Sequence, residues 1–359
     1  MLAVLEDLVM TETPSDDLSS VHDGVRFVSG VVHRLLGQVP ETVEVDGRPH
    51  LRLRGSAERP VLVLCHLDTV WPRGTTGRWP FGVSDGRASG PGVFDMKAGL
   101  VQGLYAISSL AHADDVTLLV TTDEEIGSPT GRALVEGEAR RSRAVLVLEP
   151  SATGALKTSR KGISIYRLEV RGRAAHAGLE PERGINALTE LAHQLPHIAQ
   201  LADAAVGTTV TPTTASAGST VNTVPATAEL SIDVRAATLA EQQRVDTALR
   251  DLVPVLVGAS IVLAGGINRP PLDPSASGGL LALAARCAGE LGLEPLEEAN
   301  VGGGSDGNFT AALGVPTLDG LGAVGDHAHA EGEYVLTAAM PERAALVSAL
   351  IDHLREQQP

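Results

Sequence analysis

The stretch VTLLVTTDEEIGS, Val116–Ser128, runs from an apolar segment straight into three adjacent acids, Asp123, Glu124 and Glu125. An unbroken apolar run of this length has the form of a strand buried on both faces, as in a parallel sheet. Three neighbouring carboxylates repel one another unless water solvates them or a cation is shared between them. Two further runs have the same form, PVLVLC (60–65) and AVLVLE (144–149). Between the runs, 96–110 and 129–139 carry helical spacing, as 21–36 does before them. Strand and helix alternating in this way predict an α/β sheet with helices on both faces.

From about residue 160 the pattern changes. ISIYRLEVRG alternates as a half-buried strand, GINALTELAHQL reads as a helix, GTTVTPTTAS and ATAELSIDVR as strands, LAEQQRVDTALRDLV as a helix and ASIVLAG as a strand. The order β-α-β-β-α-β is that of a ferredoxin-like unit. The segment 265–279, rich in Gly, Pro and Ser, reads as a linker, and α/β signals resume after it. The expected organisation is a discontinuous α/β domain, 1–161 and 270–359, with a smaller α+β domain, 162–269, inserted. No internal repeat interrupts this pattern.

The chain has 359 residues, 43% of them hydrophobic and 20% charged, the balance of a globular protein with two domains. Its net charge of −16 argues against nucleic-acid or anionic-membrane partners, which need a basic face. No apolar run reaches the roughly 18 residues of a membrane span, and the start lacks a basic leader. Two cysteines, Cys65 and Cys287, make no disulfide framework, so a cytoplasmic protein is expected.

Ligands of an open α/β sheet collect beyond the carboxyl ends of its strands. The first run ends in His66, with Asp68 two residues on. A Gly/Pro turn delivers Asp95; the second run delivers Glu124 and Glu125, the third Glu149. His327 and His329 lie near the C-terminus. Each has an ordinary alternative: a hydrogen-bonded core histidine, a helix N-cap at Asp95, a solvated acid at Glu149. Taken together, oxygen and imidazole donors without thiolate suit Zn²⁺, Co²⁺ or Mn²⁺. A dinucleotide site at SGPGVFDMKAG lacks the third glycine and sets Asp95 against a pyrophosphate. Cys65 and His66 point to opposite faces of a strand and do not form a nucleophile–base pair.

HLDTV, GPGVFDMKAG, TTDEEIGS, LEP, GRAAHAG, NTVPATAELSIDVR, GGGSDG and the closing H…EYV occur in the order found in the M20 family of zinc peptidases. The chain resembles that family over nearly its whole length, and within it the folate-hydrolysing glutamate carboxypeptidases. The resemblance implies a catalytic α/β domain with an inserted lid through which two copies dimerise. It implies two Zn²⁺ per subunit, with Co²⁺ or Mn²⁺ as substitutes: Asp95 bridging, His66 and Glu149 on one ion, Glu125 and His329 on the other. Glu124 then matches the general base acting on zinc-activated water, and Asp68 the carboxylate orienting His66. His176 matches the oxyanion donor, acting on the other subunit's site. Asn222 and Arg235 match the pair that binds a free α-carboxylate, and Gly303 and Gly304 line the substrate. Asp123 is left to loop structure.

The implied reaction is hydrolysis of the amide joining an acyl or peptidyl group to a C-terminal amino acid. N-acyl-amino-acid amidohydrolase and dipeptidase are alternatives within the family, and a non-catalytic metal-binding homologue is an alternative outside enzymes. Two departures stand out. Ala155 falls where the glutamate carboxypeptidases carry a lysine for the glutamate side chain, with Lys157, Arg160 and Lys161 nearby as replacements. Met96 takes the place of an acid after the bridging Asp.

Overall fold

The computed structural model describes residues 1–356, which form two compact units. The first comprises Met1–Ser159, Leu272–Val301 and the chain from Ser305 onward; the second comprises Arg160–Pro271 and Gly302–Gly304.

In the first unit the three apolar runs pair as parallel strands. Val61–His66 lies between Val116–Thr121 and Ala144–Val147, with Val61 opposite both Val116 and Ala144. Thr317–Leu318 extends the parallel set, and the hairpin of Glu41–Val45 and Arg48–Leu53 adds two antiparallel strands at the other edge. The result is a mixed six-stranded sheet. All residues of the three runs are buried, because both sheet faces are covered. Val61, Val63 and Cys65 face a core shared with helices Leu2–Met10, Leu18–Leu36, Ala98–Ser108, Pro274–Glu290 and Ala339–Glu356. Leu62 and Leu64, pointing the other way, pack with Val135 and Ala139 of helix Arg132–Arg141 and with Phe309.

Two glycines seat the helix that follows Asp95. A Cβ at Gly99 would come within 2.0 Å of the Leu148 carbonyl oxygen, and one at Gly103 within 2.4 Å of Leu148 Cδ1. Helix Ala98–Ser108 therefore lies directly against the strand end that delivers Glu149.

The second unit is a four-stranded antiparallel sheet in the order Thr209–Ala217, Thr227–Ala236, Gly162–Arg171, Ser260–Arg269. Helices Ala187–Ala199 and Leu239–Arg250 complete the ferredoxin-like order. Tyr166, Leu168, Val170, Leu230, Ile232 and Val234 alternate inward to meet Leu191, Ile198, Val245 and Leu249.

The linker read over 265–279 is corrected. The strand continues to Arg269, and a helix begins at Pro274 behind the N-cap Asp273. Gly265 holds a positive φ of 88° inside the ladder, where a Cβ would meet the Ile165 carbonyl oxygen at 2.2 Å. Its glycine marks a close strand contact, and Pro274 a first helical turn. The sequence reading also missed a second small sheet in the first unit, ordered Gly325–Asp326, Tyr334–Leu336, Arg87–Ser89, Gly82–Ser84. These strands are two or three residues long, too short to show a period.

Candidate metal centre

His66 closes its strand, so its ring leaves the sheet at the carboxyl end. Nε2 lies 3.1 Å from Asp95 Oδ1 and 3.4 Å from Glu149 Oε1. Nδ1 donates to the Asp68 carbonyl oxygen at 3.0 Å, with Asp68 Oδ1 farther off at 3.5 Å. The main chain of Asp68 thus fixes the ring more closely than its carboxylate does. The carboxylate of Asp68 is engaged elsewhere: it accepts from Glu124 N and Glu125 N, both at 3.2 Å, and from Ser15 Oγ at 2.8 Å. It fastens the acidic loop to the histidine strand.

Asp95 and Met96 have non-helical backbone angles ahead of helix Ala98–Ser108, and their peptide bond is cis. The helix that follows is capped at Lys97 rather than Asp95, and the two Asp95 oxygens face two imidazoles. Oδ2 lies 3.3 Å from His329 Nε2, and that nitrogen is 3.1 Å from Glu125 Oε2. Met96 Sδ accepts from His66 N at 3.1 Å, so the residue replacing the acid packs beneath the histidine. Glu149 is buried, contrary to the solvated alternative.

The acidic loop makes a single 3₁₀ turn over Glu124–Ile126. Asp123 Oδ2 accepts from Thr130 N at 2.6 Å, Thr130 Oγ1 at 2.7 Å and Gly131 N at 3.0 Å, which closes the loop onto the next helix. Donor atoms of His66, Glu124 and Glu149 lie within 4.8 Å of one another, as do those of His66, Asp95 and Glu125. Distance alone does not separate Glu124 from the ligands.

The electrostatics show what this arrangement needs. Burial pushes the His66 imidazole down in pKa, but hydrogen bonds to Asp68, Asp95 and Glu149 outweigh it and hold the ring well above its ordinary value. His329 is raised to about 11 by Asp95 and Glu125. Burial lifts Glu125 to about 7, against the pull of His329. Asp95 is held low by His329 and His66, despite its burial. In the metal-free protein the converging carboxylates thus favour positive charge at both imidazoles. One carboxylate shared by two imidazoles, each with a further carboxylate, fits two divalent ions of the zinc, cobalt or manganese type. Cys65 takes no part: its side chain faces the core, and burial raises its thiol.

His176, Asn222, Arg235, Gly303 and Gly304 belong to the second unit, whereas His327 belongs to the first, beside Asp326. His176 Nδ1 accepts from Gly178 N and Leu179 N, each at 3.1 Å, so a neutral ring carries its proton on Nε2. Asn222 is its neighbour, its carbonyl accepting from Ala177 N at 2.9 Å. The Arg235 guanidinium is held by Asp233, with Nε 2.8 Å from Oδ1 and Nη2 2.9 Å from Oδ2. Gly303 and Gly304 accept from Arg160 Nη1 through their carbonyl oxygens. The GGGSDG motif is split between the units, and its Asp306 belongs to the first. There it accepts from Thr121 Oγ1 at 2.9 Å and from Ser128 Oγ, bracing the acidic loop. Of the replacements for the lysine missing at Ala155, Lys161 Nζ donates to the Gly207 carbonyl at 2.5 Å.

Sequence reasoning missed Ser15, Asp306 and Glu333 as supports of the centre. The closing EYV contains Glu333, but nothing in a single sequence marks that glutamate as buried.

Residues 62–353 match the sequence pattern of peptidase family M20/M25/M40. Carboxypeptidase G2 of a Pseudomonas species is 30% identical over 98% of this chain and 88% of its own length. A succinyl-diaminopimelate desuccinylase of Rhodospirillum centenum is 28% identical over 98% of this chain and 96% of its own. Among solved structures, the metallo-carboxypeptidase Sso-CP2 of Sulfolobus solfataricus superposes with a TM-score of 0.77 at 17% identity, covering 98% of each chain. Human carnosine dipeptidase 1 gives 0.69 at 15%, covering 99% of this chain and 96% of its own. A family match across most of the chain and a relative aligned nearly end to end agree with the paired-donor centre, and the protein belongs to peptidase family M20/M25/M40, as a hydrolase of the metallopeptidase and amidohydrolase class.

Proposed function

We propose that this hydrolase cleaves the amide bond between an acyl or peptidyl group and a C-terminal amino acid with a free carboxylate, using two zinc ions. The observation that carries the reading is Asp95, whose two oxygens face His66 and His329 while Glu149 and Glu125 flank them. His66 and Glu149 would hold one ion, Glu125 and His329 the other, and Asp95 both. When bound, such ions supply Lewis acidity to a carbonyl oxygen and lower the pKa of water.

Glu124 takes the proton from the attacking water and returns it to the departing amine. Its main-chain N–H donates to Asp68, as that of Glu125 does, so both acids are presented from one anchored turn. His176, with its proton on Nε2, donates to the developing oxyanion. Arg235 exchanges Asp233 for the substrate carboxylate, whose two oxygens match its fork. The second unit serves as lid and dimerisation domain, and His176 acts at the centre of a second copy.

A hydrolysis panel of N-acyl amino acids and dipeptides, each tested as free acid and as amide, tests this reading. Amidation is expected to lower kcat/KM by roughly 30- to 1000-fold, about 2–4 kcal/mol. Equal turnover of acids and amides would falsify the carboxylate requirement.

A second reading, N-acyl-amino-acid amidohydrolase or dipeptidase, is favoured by the buried Ala155, which offers no cation for a glutamate side chain. Under it, apolar leaving residues outpace glutamate in the same panel. A homologue without catalysis would bind panel members and turn over none.

A further inference from the structure

Glu333 ends the turn that follows His329, and its side chain is fully buried. Its carboxylate accepts four N–H groups. Oε2 takes Gly92 N and Trp71 Nε1, both at 3.0 Å; Oε1 takes Phe94 N at 2.7 Å and Asp95 N at 2.9 Å. Two donors per oxygen fill the usual capacity of a carboxylate. Three of the four are main-chain groups of the segment that ends at Asp95, bent by the positive φ of Gly92 (70°) so that they converge. The neighbouring backbone is joined as well, with Gly90 N on the Glu333 carbonyl and Tyr334 opposite Ser89. One side chain thus fastens the segment presenting Asp95 to the segment presenting His329.

The two halves of the centre depend on this fastening unequally. His66 is held by its strand and by the Asp68 carbonyl, and Glu149 follows a central strand. His329 is 48% exposed on a turn, and its polar side-chain contacts among the described residues are Asp95 and Glu125. We propose that Glu333 is a positioning residue for the half formed by His329, Asp95 and Glu125, setting the distance between Asp95 and His329 without touching metal or substrate. The inference rests on the two-ion reading above.

The competing role is plain loop stability, in which Glu333 only satisfies buried N–H groups. Glu333→Gln separates the two. The amide keeps the shape, but its NH₂ faces two of the N–H donors, so at least those two lose their acceptor. Trp71→Phe removes one side-chain donor and leaves the three main-chain donors in place. Metal-stripped wild type and both variants are titrated with Co²⁺ against a competing chelator, at a temperature where circular dichroism shows each to be folded.

The wild type is expected to take up two ions. Glu333→Gln should keep one at near wild-type affinity and bind the other about 10- to 100-fold more weakly, the usual scale for losing a support behind a ligand. Trp71→Phe should keep both within about threefold, since each main-chain contact survives. If Glu333→Gln does not fold, Glu333→Asp, with the charge kept on a shorter arm, carries the same comparison. Two tight ions in Glu333→Gln, or equal weakening of both, overturns the assignment even if the melting temperature falls. A wild type that binds no Co²⁺ sinks the two-ion reading itself, a result distinct from either of these.

Discussion

The two halves of the centre are built from the same residue types and held in opposite ways. On one side His66 is 2% exposed at the end of a strand hydrogen-bonded on both edges, and Glu149 is 6% exposed after the next strand. On the other, His329 stands half in solvent in a turn, with a positive φ of 62°. The buried half is a product of the sheet, and its geometry follows from the fold. The exposed half is assembled by hydrogen bonds in which Glu125 N donates to Asp68 and Asp95 N donates to Glu333. One is placed by packing, the other by polar fastening, so they should respond differently to mutation and to pH.

The largest effect is expected where the halves meet. Asp95→Ala removes the carboxylate common to both, so both ions and all detectable hydrolysis should go, as elemental analysis and a turnover assay would show. Residual two-ion occupancy in that variant would break the shared-ligand picture. Next is Glu124→Gln, which should retain both ions and lower kcat by about 100- to 10,000-fold through loss of proton transfer. Glu125→Gln should instead release the ion of the exposed half; reversed phenotypes would exchange the two assignments.

His66→Ala against His329→Ala tests the contrast directly. Removing the buried ring leaves buried partners unsatisfied and should destabilise the metal-free protein by about 1–3 kcal/mol. Removing the half-exposed ring, whose ion pairs with Asp95 and Glu125 are screened by solvent, should cost it less than that while still losing one ion. Denaturant unfolding of both stripped variants measures the difference, and equal losses would erase the distinction.

In the metal-free protein, His329 is raised from 6.5 to about 11 by its two carboxylates. A raised pKa means that the protonated form stabilises the fold. That contribution is complete below 6.5 and disappears as pH climbs through about 11. A metal must displace this proton, so binding between about pH 7 and about pH 10 should release protons and tighten as pH rises. Calorimetry in buffers of different ionisation enthalpy counts the protons, and a count of zero contradicts the crowded-carboxylate picture. The smallest change is expected at Cys65, beside His66 but facing the core. Cys65→Ala should lower stability by about 1 kcal/mol and leave kcat within about twofold.

Much of the buried half was legible in the chain before any coordinates. His66 and Glu149 each follow an apolar run, and an open α/β sheet sends such residues to one end. The ferredoxin-like order of the second unit was equally readable, because its strands alternate and its helices carry a 3.6-residue period. The 265–279 segment was misread because glycine and proline mark turns on average, whereas Gly265 serves a close strand contact and Pro274 opens a helix.

By itself, then, the sequence determined which candidate donors leave the sheet, since periodicity and strand ends are local properties. Only the tertiary structure decided what holds them in place. Asp68 gives its carbonyl to His66 and its carboxylate to the acidic loop, Asp306 crosses from another motif to brace that loop, and Glu333 gathers the N–H groups ahead of Asp95. Apart from the bond between His66 and Asp68, these contacts join residues far apart in the chain, and most of them end on backbone groups. A backbone N–H is the same at every position, so no local pattern of side chains can announce which carboxylate it will meet.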